Sequence, residues 1–309
     1  MHENLLSKPK LRSYSGLSES IKNLQLISAS PSSNTAVYRI KFVDGDVRFV
    51  RVLTEERLAD LRNITEVGPV YGFPECKVLD GDPPLLLMEK VSGVPLSRLL
   101  PIGLFPGLWL LGQSHLEGAM EQFGQYLGRL HKKTETTQRS ASETYSLPRY
   151  FEIDEQIAQH IGESTVYRLR EKSEKISDIS LTCGRVHSDP TPHNIFYDGQ
   201  DVSLIDFRLR EDAILTDLIK AERGIELMVD RLPYGRQSQK EILLKSFRHG
   251  YLGQYERFTY PNQYSLIRCL MDISLLESHI NKRFNKRGAL IARRTDISTL
   301  KKRILSVAE

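Results

Sequence analysis

Residues 184–212 read GRVHSDPTPHNIFYDGQDVSLIDFRLRED, and this stretch decides the fold. It sets His187, Asp189 and Asn194 in one short loop, in the pattern H-x-D, four residues, N. Pro190 and Pro192 stiffen that loop, because each fixes its own φ and pushes its predecessor towards extended backbone. IFYDGQDVSLID then predicts a hairpin: one strand, Asp198-Gly199 turn chemistry, and an alternating return strand. The hairpin carries Asp206, at the end of its second strand, back to face Asn194.

Taken singly, Asp and Asn beside proline are ordinary turn residues. Together, at fixed offsets, they form the set that phosphoryl transfer requires. A carboxylate must orient the acceptor hydroxyl and take its proton, while an amide oxygen and a second carboxylate hold a divalent cation against nucleotide phosphates. Magnesium takes a few hard oxygen ligands and keeps several waters, so one Asn and one Asp suffice.

Upstream, residues 24–53 read as a strand meander. LQLISA and TAVYRIKFV are β-rich, and Asp44-Gly45-Asp46 forms a hairpin turn before VRFVRVL. A helix is expected from Thr54, whose hydroxyl suits an N-cap ahead of Glu55 and Glu56, and it should fray near Val67-Gly68-Pro69. CKVL and LLLMEKV add two strands around Asp80-Gly81-Asp82-Pro83. A small β-rich lobe is therefore expected over residues 1–91.

The remainder, residues 92–309, reads as a larger, mostly helical lobe. Leu116, Met120, Phe123, Leu127 and Leu130 recur at helical spacing. Further helices are predicted over 151–176, 212–231, 238–250 and 263–284, a polar loop over 132–150, and short strands around Val186, Phe196 and Ser203. Residues 99–112 form an apolar connector, too short to span a bilayer and interrupted by two prolines. Trp109 within it is expected to pack.

HSDPTPHN followed by LIDF resembles the HGDxxxxN and IDF/IDW motifs of the aminoglycoside phosphotransferase and choline kinase superfamily. The resemblance implies an α+β, bilobal, protein-kinase-like fold and an ATP- and Mg²⁺-dependent transfer of the γ-phosphate to a small-molecule hydroxyl. It assigns Asp189 as catalytic base, Asn194 and Asp206 as metal ligands, His187 as a structural brace, and Asp217 as a supporting residue. In the small lobe it places Arg51 at the phosphate-pairing cation. Alternation supports this choice, setting Val47, Phe49 and Arg51 on one face and Arg48 on the other. Glu56 is its expected partner, with Glu66 second. Ser32, Ser33 and Asn34 would cover the phosphates, and Glu89, Lys90 and Val91 would meet adenine through backbone groups. LGRLHKK resembles the helix preceding the catalytic loop, with His131 read as a packing or solvent-edge residue. Three positions depart from the pattern: Ser188 and His193 stand where glycine is common, and Arg208 follows Phe207.

The acceptor is not legible. Glu211, Asp212, Asp217, Glu222 and Glu226 could receive a cationic aminoglycoside or choline, yet Arg208, Arg210 and Arg223 lie among them and point as readily to a sugar, a nucleoside or an anionic metabolite. Two alternatives stand beside a small-molecule kinase: a non-catalytic kinase-like module that binds nucleotide or a partner, and an atypical protein kinase.

Composition agrees with an ordinary globular chain of 309 residues, 40% apolar and 27% charged. Three widely spaced cysteines exclude a disulfide framework and suggest a reducing compartment. With 43 basic and 39 acidic residues, the net charge of +4 does not by itself call for nucleic acid. The N-terminus has no apolar h-region, so a cytoplasmic protein is expected. From Lys282 to Arg303 basic residues dominate, with Asp296 the single acid. A solvated helix face is the simpler reading of that run, and contact with an anionic surface the functional one.

Overall fold

The computed structural model describes residues 6–14, 17, 21–30, 35–62, 72–145, 155–281 and 287–308. The predicted meander is an antiparallel sheet in the order β1-β2-β3-β5-β4, made of β1 (Ile21–Ser30), β2 (Thr35–Phe42), β3 (Val47–Val52), β4 (Cys76–Leu79) and β5 (Leu85–Glu89). Gly45 turns β2 into β3 at φ +98°, a conformation that glycine adopts without a Cβ penalty. Period-two alternation sends Tyr38, Ile40, Val50, Val52, Leu85 and Leu87 to one face. The N-terminal segment, with the short helix α1 (Lys8–Arg12), covers that face through Leu6, Leu11, Tyr14 and Leu17. Arg51 is left on the opposite face.

Between β3 and β4 lies α2 (Glu55–Arg62), and Thr54 Oγ1 accepts from Arg57 N at 3.3 Å, the N-cap bond expected there. Leu58 and Leu61 of α2 join Leu53, Leu86, Leu130, Phe207 and Leu209 in a buried cluster. These residues come from both lobes, so this cluster is the hydrophobic seam between them.

The larger lobe starts at β6 (Val94–Pro95), which pairs with β9 (Ile195–Tyr197), itself paired with β10 (Val202–Leu204). The β9–β10 pair is the predicted hairpin, with Gly199 at φ +103° in its turn. The connector at 99–112 is largely helical, comprising the end of α3 (Leu96–Gly103) and the start of α4 (Trp109–Thr134). Leu100 and Leu104 are fully buried, and Trp109 packs on the core.

The polar loop expected over 132–150 differs from the observed chain, where α4 continues to Thr134 before β7 (Gln138–Ser140) and α5 (Ala141–Tyr145). β7 is a strand only because it pairs with β8 (Ser180–Val186), whose other neighbour is β11 (Arg210–Ala213). Such distant pairing leaves little trace in local sequence. The helix expected over 151–176 is two, α6 (Glu155–Ile161) and α7 (Glu163–Glu174), parted at Gly162 with φ +88°.

Four further helices complete the lobe: α8 (Ile214–Asp230), α9 (Gln237–Gln254), α10 (Tyr264–Asn281) and α11 (Arg287–Ala308). α4 and α9 approach closely through glycines. A Cβ on Gly124 would lie 2.0 Å from Phe247 O, and one on Gly250 would lie 1.9 Å from Glu121 O. The basic run ends in α11, and it is not simply a solvated face: Arg231 of α8 holds Asp296 at 2.8 and 2.6 Å, and Arg303 reaches Glu226 and Asp272. Among the described residues, no helix is long and apolar enough to cross a membrane.

Candidate active site

The loop after β8 is anchored from below by Asp217, in the first turn of α8. This fully buried carboxylate accepts from His187 N at 2.6 Å, Ser188 N at 2.9 Å and His131 Nε2 at 3.2 Å. Burial opposes its ionisation, but the His131 hydrogen bond and the nearby His187 and Lys220 outweigh it, holding the carboxyl below its usual range. His131 is neither at a solvent edge nor a passive packing residue. It is fully buried on α4, and its Nδ1 lies 3.0 Å from the Tyr251 hydroxyl of α9.

His187 is likewise fully buried, and burial pushes its pKa down. Its Nδ1 accepts from Asp189 N at 3.3 Å, so the neutral ring carries its proton on Nε2. Phe73 and Phe207 wall it in, with ring centroids 6.0 and 6.4 Å away. Ser188 sits at φ +77°, where glycine is at ease and serine is strained. The departure from glycine at this position is thus accommodated at a cost in backbone energy. Lys220 Nζ also holds the loop, donating to Ser188 O at 2.6 Å.

Asp189 and Asn194 meet as the spacing implied. Asn194 Nδ2 donates to Asp189 O at 3.0 Å and to Asp189 Oδ2 at 2.9 Å, which leaves the amide oxygen to coordinate. Ile205 N donates to Asn194 O at 2.9 Å, so the next residue, Asp206, leaves the hairpin beside Asn194. Asp206 adopts φ +60° and stays one-third exposed. An amide oxygen and a carboxylate, with no thiolate or imidazole between them, are the donor set of a hard divalent cation.

The partner of Arg51 is not the expected one. Arg51 pairs with Asp206, and so does Arg57, whose Nη2 lies 2.8 Å from Asp206 Oδ1. Glu56 is exposed and forms no ion pair among the described residues. The helix register explains this, because Arg57, Leu58 and Leu61 form the buried side of α2 and Glu56 falls outside it. Burial raises the energy of the ionised Asp206, yet the two guanidinium groups prevail and keep its pKa low.

The register of β5 ends at Glu89, whose N donates to Glu75 O at 2.9 Å, and Lys90 and Val91 follow it where the chain passes from the sheet to β6. Ser32, Ser33, Asn34 and the second-choice Glu66 lie outside the described residues, as does the fraying point at 67–69.

The carboxylates considered for a cationic acceptor are nearly all committed elsewhere. Besides Asp217, buried Glu222 accepts from Arg248 at 2.8 and 2.7 Å and from the hydroxyls of Tyr260 and Tyr264. Glu226 pairs with Arg268 and Arg303, and Glu211 with Arg139. Asp212 alone borders a cavity beside the site, and it bonds Arg210 at 2.7 Å.

These elements make a bilobal protein-kinase-like protein: a five-stranded sheet, a hydrophobic seam, and a helical lobe presenting a braced His–Asp–Asn loop with an Asp across the hairpin. Solved structures bear out the architecture. The chain is similar to an amicoumacin kinase in complex with AMP-PNP, Ca²⁺ and its ligand, at 14% identity and TM-score 0.59 over 92% of this chain and 88% of the other. It is similar to a choline/ethanolamine kinase family protein from Mesorhizobium loti, at 14% identity and TM-score 0.58 over 97% of both chains. A third likeness is to a spectinomycin phosphotransferase in complex with ADP and spectinomycin, at 13% identity and TM-score 0.59 over 96% and 95%. No protein-family model matches the sequence, and no curated protein matches it. At these identities the shared property is the fold.

Proposed function

We propose that this chain is a small-molecule kinase that moves the γ-phosphate of ATP to an alcohol. The observation that carries this reading is the Asp189 loop. Its carboxylate is oriented by Asn194, its backbone is clamped by Asp217, and it opens onto a cavity of about 230 Å³. In this reading Asp189 takes the proton of the acceptor hydroxyl. Asn194 and Asp206 hold Mg²⁺, which when bound neutralises phosphate charge. Arg51, with Arg57 beside it, faces the phosphates from the sheet, and residues 1–91 and 92–309 act as nucleotide lobe and acceptor lobe. Lys90 and Val91 meet the base through their backbone groups. Free cysteines accord with a cytoplasmic location.

Most of the rate enhancement would come from positioning and from fixed charges around the transferred group. Removing the proton acceptor in Asp189→Asn should lower kcat by about a hundredfold to ten-thousandfold. Asp206→Ala should abolish divalent-cation-dependent ATP turnover, read by coupled ADP release. Unchanged turnover in both variants would refute the assignment. Nucleotide binding without a divalent cation and without acceptor-driven turnover would instead indicate the non-catalytic module, and phosphate on protein the protein kinase.

A further inference from the structure

Two cavities adjoin behind Asp189, one of about 230 Å³ that includes it and one of about 350 Å³ further from the loop. Lys220, Arg223 and Leu275 border both, so these residues stand at the junction. The larger chamber adds Arg210 and the hydroxyl-bearing Ser274 and Ser278.

The charge around these walls is not balanced. Arg231, in the smaller chamber, is paired with Asp296, whereas Arg210, on the larger one, is half exposed and meets Asp212 through Nη2 at 2.7 Å. Lys220 is not matched: its ammonium donates to a neutral carbonyl, Ser188 O, and among the described residues no carboxylate lies within ion-pair distance of it. Arg223 donates to Met271 O at 3.1 Å and lies 3.5 Å from Asp272, but Asp272 also serves Arg303 at 2.9 Å. Within ion-pair distance, the two largely buried cations therefore have among the described residues only Asp272, which Arg303 shares. Burial lowers the Lys220 pKa, and the nearby Arg210 and Arg223 press the same way against the attraction of Asp217 and Asp189. Buried charge without a counter-charge is costly, and an anionic ligand relieves that cost.

We propose that the acceptor is an anionic alcohol: its hydroxyl meets Asp189 in the smaller cavity, and its carboxylate or phosphate enters the larger one between Lys220, Arg223 and Arg210. This rests on the phosphotransferase reading and narrows it. The two volumes together suit a sugar-sized molecule. Ser274 and Ser278 supply hydroxyl donors of the kind an oxyanion accepts from. A choline or aminoglycoside cation would meet Lys220, Arg223 and Arg210 with only Asp189 and the Arg210-bonded Asp212 against them among the lining residues, because Glu222 and Glu226, which could have received it, are turned into ion pairs within the lobe.

The test compares three groups of alcohols with the full-length protein. The anions are a glycerol phosphate, a hexose phosphate and glycerate; the neutral parents are glycerol and glucose; the cations are choline and kanamycin. Calorimetric binding in the presence of Mg²⁺ and a non-hydrolysable ATP analogue is measured alongside turnover of Mg-ATP. The anions should bind at least about tenfold more tightly than their neutral parents, and the phosphate and carboxylate arms show which oxyanion is preferred. Lys220→Met and Arg210→Gln should each reduce the anion-to-neutral ratio by about tenfold or more, with melting curves confirming folding. Arg223 is left in place because its loss would strip Asp272 of a buried partner. Preference for a neutral or cationic alcohol, or an unchanged ratio in both variants, overturns the proposal. Anion binding that depends on Lys220 without turnover of any alcohol sustains the pocket and refutes only catalysis; no anion binding at all refutes the pocket.

Discussion

Asp217 is a carboxylate that survives complete burial because every neighbour within reach is a donor or a cation. Its pKa in the folded chain lies below its unfolded value, so its contribution to stability is fully present above the unfolded value and disappears as pH falls through the folded one. Asp217→Asn places an amide N–H against a backbone N–H. It should cost about 3 kcal/mol near neutrality, and the difference from wild type should shrink as the solution is acidified. Urea unfolding across pH measures this, and a pH-independent difference would contradict it. Ser188 presents the opposite case. Its left-handed backbone suits glycine, and its buried hydroxyl has no hydrogen-bond partner among the described residues. Ser188→Gly should therefore raise stability by about 1 kcal/mol, with its N–H still donated to Asp217. A fall in melting temperature would show that the hydroxyl matters more than the backbone.

At the scale of elements, the larger lobe depends on how closely its helices approach. α4 and α9 touch backbone to backbone at Gly124 and Gly250, which lets Phe123 pack tilted against Phe247 with ring centroids 4.9 Å apart and brings Tyr251 to His131. The brace of the Asp189 loop thus begins at a helix crossing. Gly250→Ala cannot fit its methyl group beside Glu121 O without separating the helices. It should lose about 1–3 kcal/mol despite alanine's better helix propensity, as chemical denaturation would report. A stabilised variant would mean the crossing relaxes freely. The helix register was itself readable: Leu127, Leu130 and His131 recur at helical spacing, which puts the histidine on the apolar face where it must find polar partners. Arg57 could have been found likewise, since it shares the buried side of α2 with Leu58 and Leu61.

For the whole molecule, the order of a β-rich lobe and then a helical lobe follows from local periodicity, and the proposed catalytic set follows from the spacing of His187, Asp189, Asn194 and Asp206. Both lie within short stretches of chain, where turn chemistry and alternation act over a few residues, so they can be read without coordinates. The strands β7 and β11, the Arg57 contact to Asp206 and the His131–Asp217–loop brace are different. Each joins segments far apart in sequence, and their residue types would suit a solvated surface equally well. The character of the cavities behind Asp189 belongs to this second group. Acids and bases alternate along 208–226, and the chain alone does not say which are neutralised. Folding settles it: the glutamates of α8 turn towards arginines of α9, α10 and α11, while Lys220 and Arg223 turn towards the cavity beside Asp189. Charge number is a property of the sequence, whereas unbalanced charge at one site depends on which partners packing brings within a few ångströms.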